Sequence, residues 1–124
     1  MVGVKEVTVG YAGGTGAWPT YRNIQDYTEA IRVVFDPNLI SYEAILRTAI
    51  AEMGGPPTRK NSHRQYRSAF LTHSPEQRAI ALSVIASYEK KLKEGKVYVD
   101  VEDATDFYRG EEYHQKYYAK NRIN

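Results

Sequence analysis

Val4-Lys5-Glu6-Val7-Thr8-Val9-Gly10-Tyr11-Ala12-Gly13-Gly14 is the stretch on which the reading of this chain turns. Val4 to Val9 is rich in β-branched residues with partial alternation, which predicts a strand. Gly10, Gly13 and Gly14 predict that the strand then gives way to a turning loop, because glycine accepts positive φ and close backbone approach. Trp18-Pro19-Thr20-Tyr21 prolongs that loop. Pro19 fixes its own φ and biases Trp18 toward an extended shape. A loop this dense in aromatic residues either folds against its own domain or lines a binding site.

Working outward, Glu29 to Asp36 reads as a second strand, ended by Pro37. Ser41 is a good N-cap for a helix from Tyr42 to about Met53, whose apolar positions Tyr42, Ile45, Leu46, Ala49 and Ile50 share one face. Gly54-Gly55-Pro56-Pro57 stops that helix, and a basic polar loop runs from Thr58 to Gln65. Tyr66 to Leu71 is the third predicted strand. Ser74-Pro75-Glu76-Gln77 predicts a capped helix start with proline in the first turn, the helix running to about Glu94. Gly95 is its stop. Lys96 to Val101 is the fourth predicted strand, Asp103 to Gly110 a turn-like link, and Glu111 to Ala119 a short terminal helix. The order predicts an α+β fold: a two-layer sandwich with helices on one face of a mixed, mainly antiparallel sheet.

At 124 residues the chain is long enough for one core, so residues 1–124 are expected to form one domain. A net charge of +2 makes no case for nucleic acid or a membrane surface. No apolar run approaches the length of a membrane span, and no secretory leader is visible, so the cytoplasm is the default expectation. The three histidines, His63, His73 and His114, are too scattered to predict a metal site. No cofactor is expected. The 11 tyrosines suggest that some line a pocket, since a phenol can hydrogen-bond while its ring packs. The chain has no cysteine, which excludes disulfides and any thiolate chemistry from these residues themselves.

Several short motifs occur in order along nearly the whole chain: Gly3-Val4, Gly10-Tyr11-Ala12-Gly13-Gly14, Pro19-Thr20-Tyr21, Glu29-Ala30-Ile31-Arg32-Val33 and Phe35-Asp36-Pro37. Ile40-Ser41-Tyr42-Glu43, Gln65-Tyr66-Arg67-Ser68-Ala69, His73-Ser74-Pro75-Glu76-Gln77 and Tyr113-His114-Gln115-Lys116-Tyr117 follow. Together they resemble the A-type peptide methionine sulfoxide reductases. That resemblance implies a ferredoxin-like arrangement and reduction of methionine-S-sulfoxide, free or in proteins. It also implies a cysteine nucleophile, recycling by a thioredoxin-like reductant, and a role in protein repair under oxidative stress. It further implies that Glu29 is the acid facing the sulfoxide oxygen, with Tyr21 and Tyr66 as the phenols beside it. An acid and phenols placed there can protonate the departing oxygen and stabilise developing charge. Tyr11, Trp18, Asn61, Tyr113 and His114 are the further candidate substrate-binding positions.

The chain also departs from the family pattern. The family nucleophile lies in a Gly-Cys-Phe-Trp segment upstream of the position matched by Gly3, and the expectation is therefore a domain without its first strand and helix. Asn61 stands where the family has an aspartate, and a neutral amide can orient groups but not ionise. Three readings follow: a reductase whose N-terminal part lies elsewhere, a cysteine-free module that binds methionine sulfoxide side chains, or a subunit completed by a partner chain or dimer that covers an exposed sheet edge.

Overall fold

The computed structural model describes residues 2–20, 22–61, 63–92 and 95–111. The first strand, β1, is longer than predicted: it spans Val4–Ala12 and carries Gly10, Tyr11 and Ala12 within it. It pairs antiparallel with β2 (Thr28–Phe35), with Val9 opposite Ile31 and Tyr11 opposite Glu29. The strand continues through Gly10 because Gly10 and Tyr11 also pair with β5 (Tyr108–Arg109) on the other side. A Cβ on Gly10 would lie 2.1 Å from the Tyr108 carbonyl oxygen, so only glycine fits there. Of the three glycines expected to turn the loop, Gly13 takes positive φ, at 76°. Trp18 also departs from expectation. Its φ is 51°, left-handed rather than extended, and its ring stands edge-on to Tyr108 at 5.5 Å.

Helix α1 (Tyr42–Glu52) begins as predicted, with the Ser41 hydroxyl accepting from the Ala44 amide at 3.0 Å. Helix α2 (Pro75–Glu89) begins on a reciprocal cap. The Gln77 amide donates to Ser74 Oγ at 3.1 Å, and the His73 amide donates to Gln77 Oε1 at 2.8 Å. The helix ends before the expected Glu94, where Lys90 closes it.

The third predicted strand divides in two. Arg64–Tyr66 form a single 3-10 turn, and β3 covers Ala69–Thr72. Strand β4 is Asp100–Asp103, later than predicted, and runs parallel to β3. The predicted link after Asp103 supplies β5. The terminal helix expected over residues 111–119 falls, beyond Glu111, outside the described residues.

The fold is α+β, and its strands form two sheets: β2-β1-β5, wholly antiparallel, and β3-β4, parallel. The core belongs to the second sheet and the helices. Leu46 and Ile50 of α1 meet Ala81, Val84 and Ile85 of α2 and Phe70 of β3, all buried. Burying each large aliphatic side chain contributes about 1.5–3 kcal/mol. The apolar positions picked out by helical spacing are those that turn inward. The outer half of the first sheet is different: Val7, Ile31 and Val34 stay 40% or more exposed.

Candidate functional site

A cleft of about 730 Å³ separates β1 and β2 from α1 and the chain around β3. Glu29 and Tyr66 both line it. Glu29 reaches it as the second residue of β2, half-buried. Tyr66 reaches it from the 3-10 turn that leads into β3, with its side chain 49% exposed. Thr28, Arg67, Phe107, His73 and Gln77 also line it, beside apolar residues of α1 and β2.

The two segments that carry Glu29 and Tyr66 are tied together by hydrogen bonds. Thr28, next to Glu29, donates from its hydroxyl to the Arg64 carbonyl at 3.1 Å. Arg67, next to Tyr66, donates from Nε back to Thr28 Oγ1 at 2.8 Å. The Arg67 guanidinium also donates to Glu102 at 2.6 and 3.0 Å and to Asp100 Oδ2 at 3.0 Å. Its side chain is only 8% exposed. These partners hold the Arg67 pKa above its ordinary value, and the Arg67 guanidinium holds the Glu102 carboxyl below its own. Charge-assisted bonds of this kind are the strong ones.

The glycine loop is fastened in the same way. Arg64 donates from Nη2 to the Gly13 carbonyl and from Nε to the Asp26 carbonyl, both at 2.7 Å. Asp26 accepts from the Thr15 hydroxyl at 2.7 Å and from the Thr15 amide, which lowers its pKa to about 2. The Tyr27 hydroxyl donates to the Gly16 carbonyl, and burial pushes the Tyr27 pKa up. Arg64 comes from the basic loop, and its guanidinium is thus engaged with backbone oxygens.

The remaining candidates lie elsewhere. Tyr11 is fully buried and donates from its hydroxyl to Glu111 Oε1 at 2.7 Å. Trp18 is 79% exposed at the loop tip. Asn61 lines a neighbouring pocket; its amide donates to the Tyr66 carbonyl at 3.3 Å, and its oxygen accepts from the His63 amide at 2.9 Å. None of these three lines the cleft that Glu29 and Tyr66 share. Tyr21, Tyr113 and His114 are outside the described residues. Thr28, Arg64 and Arg67, which hold the site together, carry no local signal for that role, because their partners are 33 to 51 residues away.

The arrangement offers a carboxyl group and a phenol in the lining of one largely apolar cleft. Those groups can donate protons or hydrogen bonds to an oxygen on a small apolar ligand. Among the described residues no helix is long and apolar enough to cross a membrane.

Comparison with known proteins gives one consistent result. The family model described as peptide methionine sulfoxide reductase matches residues 1–124. A peptide methionine sulfoxide reductase MsrA from Trichodesmium erythraeum is 40% identical over 131 residues, a match covering 98% of this chain and 73% of the relative. One from Methanoculleus marisnigri is 39% identical, covering 95% of this chain and 77% of the relative. Among solved structures, methionine sulfoxide reductase A of Corynebacterium diphtheriae superposes with a TM-score of 0.79 at 30% identity, over 98% of this chain and 66% of that one. Mxr1 from Saccharomyces cerevisiae in reduced form gives 0.80 at 25% identity, over 98% and 74%.

Proposed function

We propose a function for this chain from one premise: it belongs to the peptide methionine sulfoxide reductase family. Its reaction is reduction of methionine-S-sulfoxide, free or within peptides and proteins, to methionine. The observation that carries the reading is that Glu29 and Tyr66 both line one cleft, on segments tied together by the Arg67–Thr28 hydrogen bond. There the Glu29 carboxyl protonates the sulfoxide oxygen, while the Tyr66 phenol donates a hydrogen bond to it; the family resemblance adds the Tyr21 phenol as a second donor. Such donors act most strongly where water is scarce.

The reducing equivalents come from thiols. The substrate sulfur gains two electrons and loses its oxygen. A thiol sulfur takes up that oxygen and becomes a sulfenic acid, and a second thiol converts this to a disulfide and water. These 124 residues contain no cysteine, so they supply the acid, the phenols and the pocket, and the thiol comes from outside them. A thioredoxin-like reductant, a role in protein repair and a cytoplasmic location accompany this reading. The same lack of cysteine supports a second reading, in which the chain binds methionine sulfoxide side chains without turning them over.

Calorimetric titration with a peptide carrying methionine-S-sulfoxide, beside the R epimer, tests the proposal. The S epimer should bind more tightly, and Tyr66→Phe should weaken it about fivefold, the worth of one hydrogen bond of about 1 kcal/mol. Equal binding of the two epimers, or binding of neither, would rule the site out.

A further inference from the structure

A second cavity, of about 500 Å³, adjoins the cleft that Glu29 and Tyr66 line, and the proposed function leaves it unused. Its lining carries four cations, Lys60, Arg64, Arg67 and Lys96, and one acid, Asp100. Asp100 is held by Arg67 Nη1 at 3.0 Å, and Arg67 is further matched by Glu102. The other three cations have no such match. Arg64 donates to the carbonyls of Gly13 and Asp26, which satisfy its N–H groups without cancelling its charge. Neither Lys60 nor Lys96 forms an ion pair with a carboxylate among the described residues. In a chain whose net charge is only +2, these cations concentrate positive potential at one cavity.

Local structure keeps the cations there. From Lys96 to Asp100 the chain alternates: Val97 and Val99 are buried, while Lys96, Tyr98 and Asp100 stay exposed. The Val97 amide donates to Glu89 Oε2 and the Tyr98 amide to the Pro57 carbonyl, both at 2.8 Å, which anchors this run. The Lys96 ammonium lies 5.1 Å from the centroid of the Tyr98 ring, a cation–π arrangement. Asn61, next to Lys60, donates from its amide to the Tyr66 carbonyl at 3.3 Å. The segment that carries Lys60 is thus fixed to a residue that lines the cleft. Arg67 and Ser68 line both spaces, so cleft and cavity share a wall one chain segment thick. Three extended residues reach about 10 Å, enough for a peptide lying in the cleft to pass that wall.

We propose that this cavity is a specificity subsite for peptide substrates. It takes the carboxylate of an aspartate or glutamate within about three residues of the oxidised methionine, through charge-assisted hydrogen bonds from Lys60 and Lys96 beside the Arg64 guanidinium. The link to methionine sulfoxide rests on the function proposed for the neighbouring cleft; the capture of a carboxylate by the cavity does not.

Calorimetry with short, amide-capped peptides tests this. Each peptide holds a central methionine-S-sulfoxide and a single glutamate, placed in turn at each flanking position, and each has a twin with glutamine instead. At low salt the glutamate peptide should bind about fivefold more tightly than its twin at one or more positions, and high salt should close the gap. Lys60→Gln/Lys96→Gln should bring the glutamate peptide to the level of its twin. Lys90→Gln/Lys91→Gln removes the same net charge at the end of α2 and should keep the preference. All four lysines are exposed. Equal binding of the twins at every position would overturn the inference. So would a preference that survives Lys60→Gln/Lys96→Gln, or one lost equally in Lys90→Gln/Lys91→Gln. The same peptides with unoxidised methionine separate the inference from the proposed function. A glutamate preference that depends on Lys60 and Lys96, with no gain from the sulfoxide, would remove the proposed function and leave the cavity standing. Discrimination of the S from the R epimer without any glutamate preference would do the reverse, and binding of no peptide would remove both.

Discussion

Arg67 Nε donates to Thr28 Oγ1 at 2.8 Å, and with the Thr28–Arg64 bond this clasps the first sheet to the approach of the second. The same guanidinium holds Glu102 and Asp100, so one side chain joins its own segment to both β2 and β4. Arg67→Ala would leave Thr28 and Glu102 without their donor. Because the two carboxylates are 40% and 59% exposed, solvent softens the loss to about 2 kcal/mol. Urea denaturation should show this as a lower midpoint. Arg67→Lys should recover only part of it, since an ammonium cannot make the forked contacts. An unchanged midpoint in Arg67→Ala would mean that the clasp is not a stabilising feature.

Acid should loosen the same clasp. The Glu102 carboxyl is held below its ordinary 4.5 by Arg67, so its contribution is fully present above that value and is lost as pH falls through the lower folded value. Asp26 behaves alike between 3.8 and about 2. Thermal melts should therefore show stability declining below about pH 4.5. Asp26→Asn should flatten the part of the decline between pH 3.8 and about 2, and a decline of the same slope in both proteins would contradict the assignment.

Gly10 sits where β5 crosses close to β1. An added Cβ would meet the Tyr108 carbonyl oxygen at 2.1 Å and the Phe107 ring at 2.6 Å. The first of these is backbone and cannot swing aside. Gly10→Ala should destabilise by about 1–3 kcal/mol and raise amide exchange in β5 more than in α1 or α2. Full retention of stability would show that β5 can retreat from β1.

Turnover provides a fourth check. The 124-residue chain alone, given methionine-S-sulfoxide and dithiothreitol, should form methionine no faster than a protein-free blank, because it holds no cysteine. A hydroxyl or carboxylate cannot take the place of a thiol sulfur that must be oxidised. Methionine formation above the blank, followed by chromatography, would require a different chemistry.

Much of this was legible from residues alone. Ser41 and Ser74 start helices because a hydroxyl before an apolar-periodic run satisfies free amides locally. Leu46 and Ile50 turn inward because helical spacing puts them on one stripe of α1. Family membership was legible in motifs that keep their order. Gly10-Tyr11-Ala12 was misread as loop because glycine looks the same whether it serves a turn or a close strand crossing, and its partner Tyr108 is far along the chain. Trp18 was expected to be extended before Pro19, yet its φ is 51° in the folded loop beside Tyr108.

The sequence by itself determined the helices, the family and the absence of a thiol, since each depends on neighbours in the chain or on composition. Only the tertiary structure decided that Glu29 and Tyr66 share a cleft, that Tyr11 turns its hydroxyl to Glu111, and that Arg67 joins the two sheets. It alone decided as well that β2 and β3 both line that cleft while belonging to different sheets. The physical reason is the range of the interactions. Helix caps and apolar periodicity act over a few residues, whereas strand edges and buried guanidinium contacts join residues that meet only after the chain has folded.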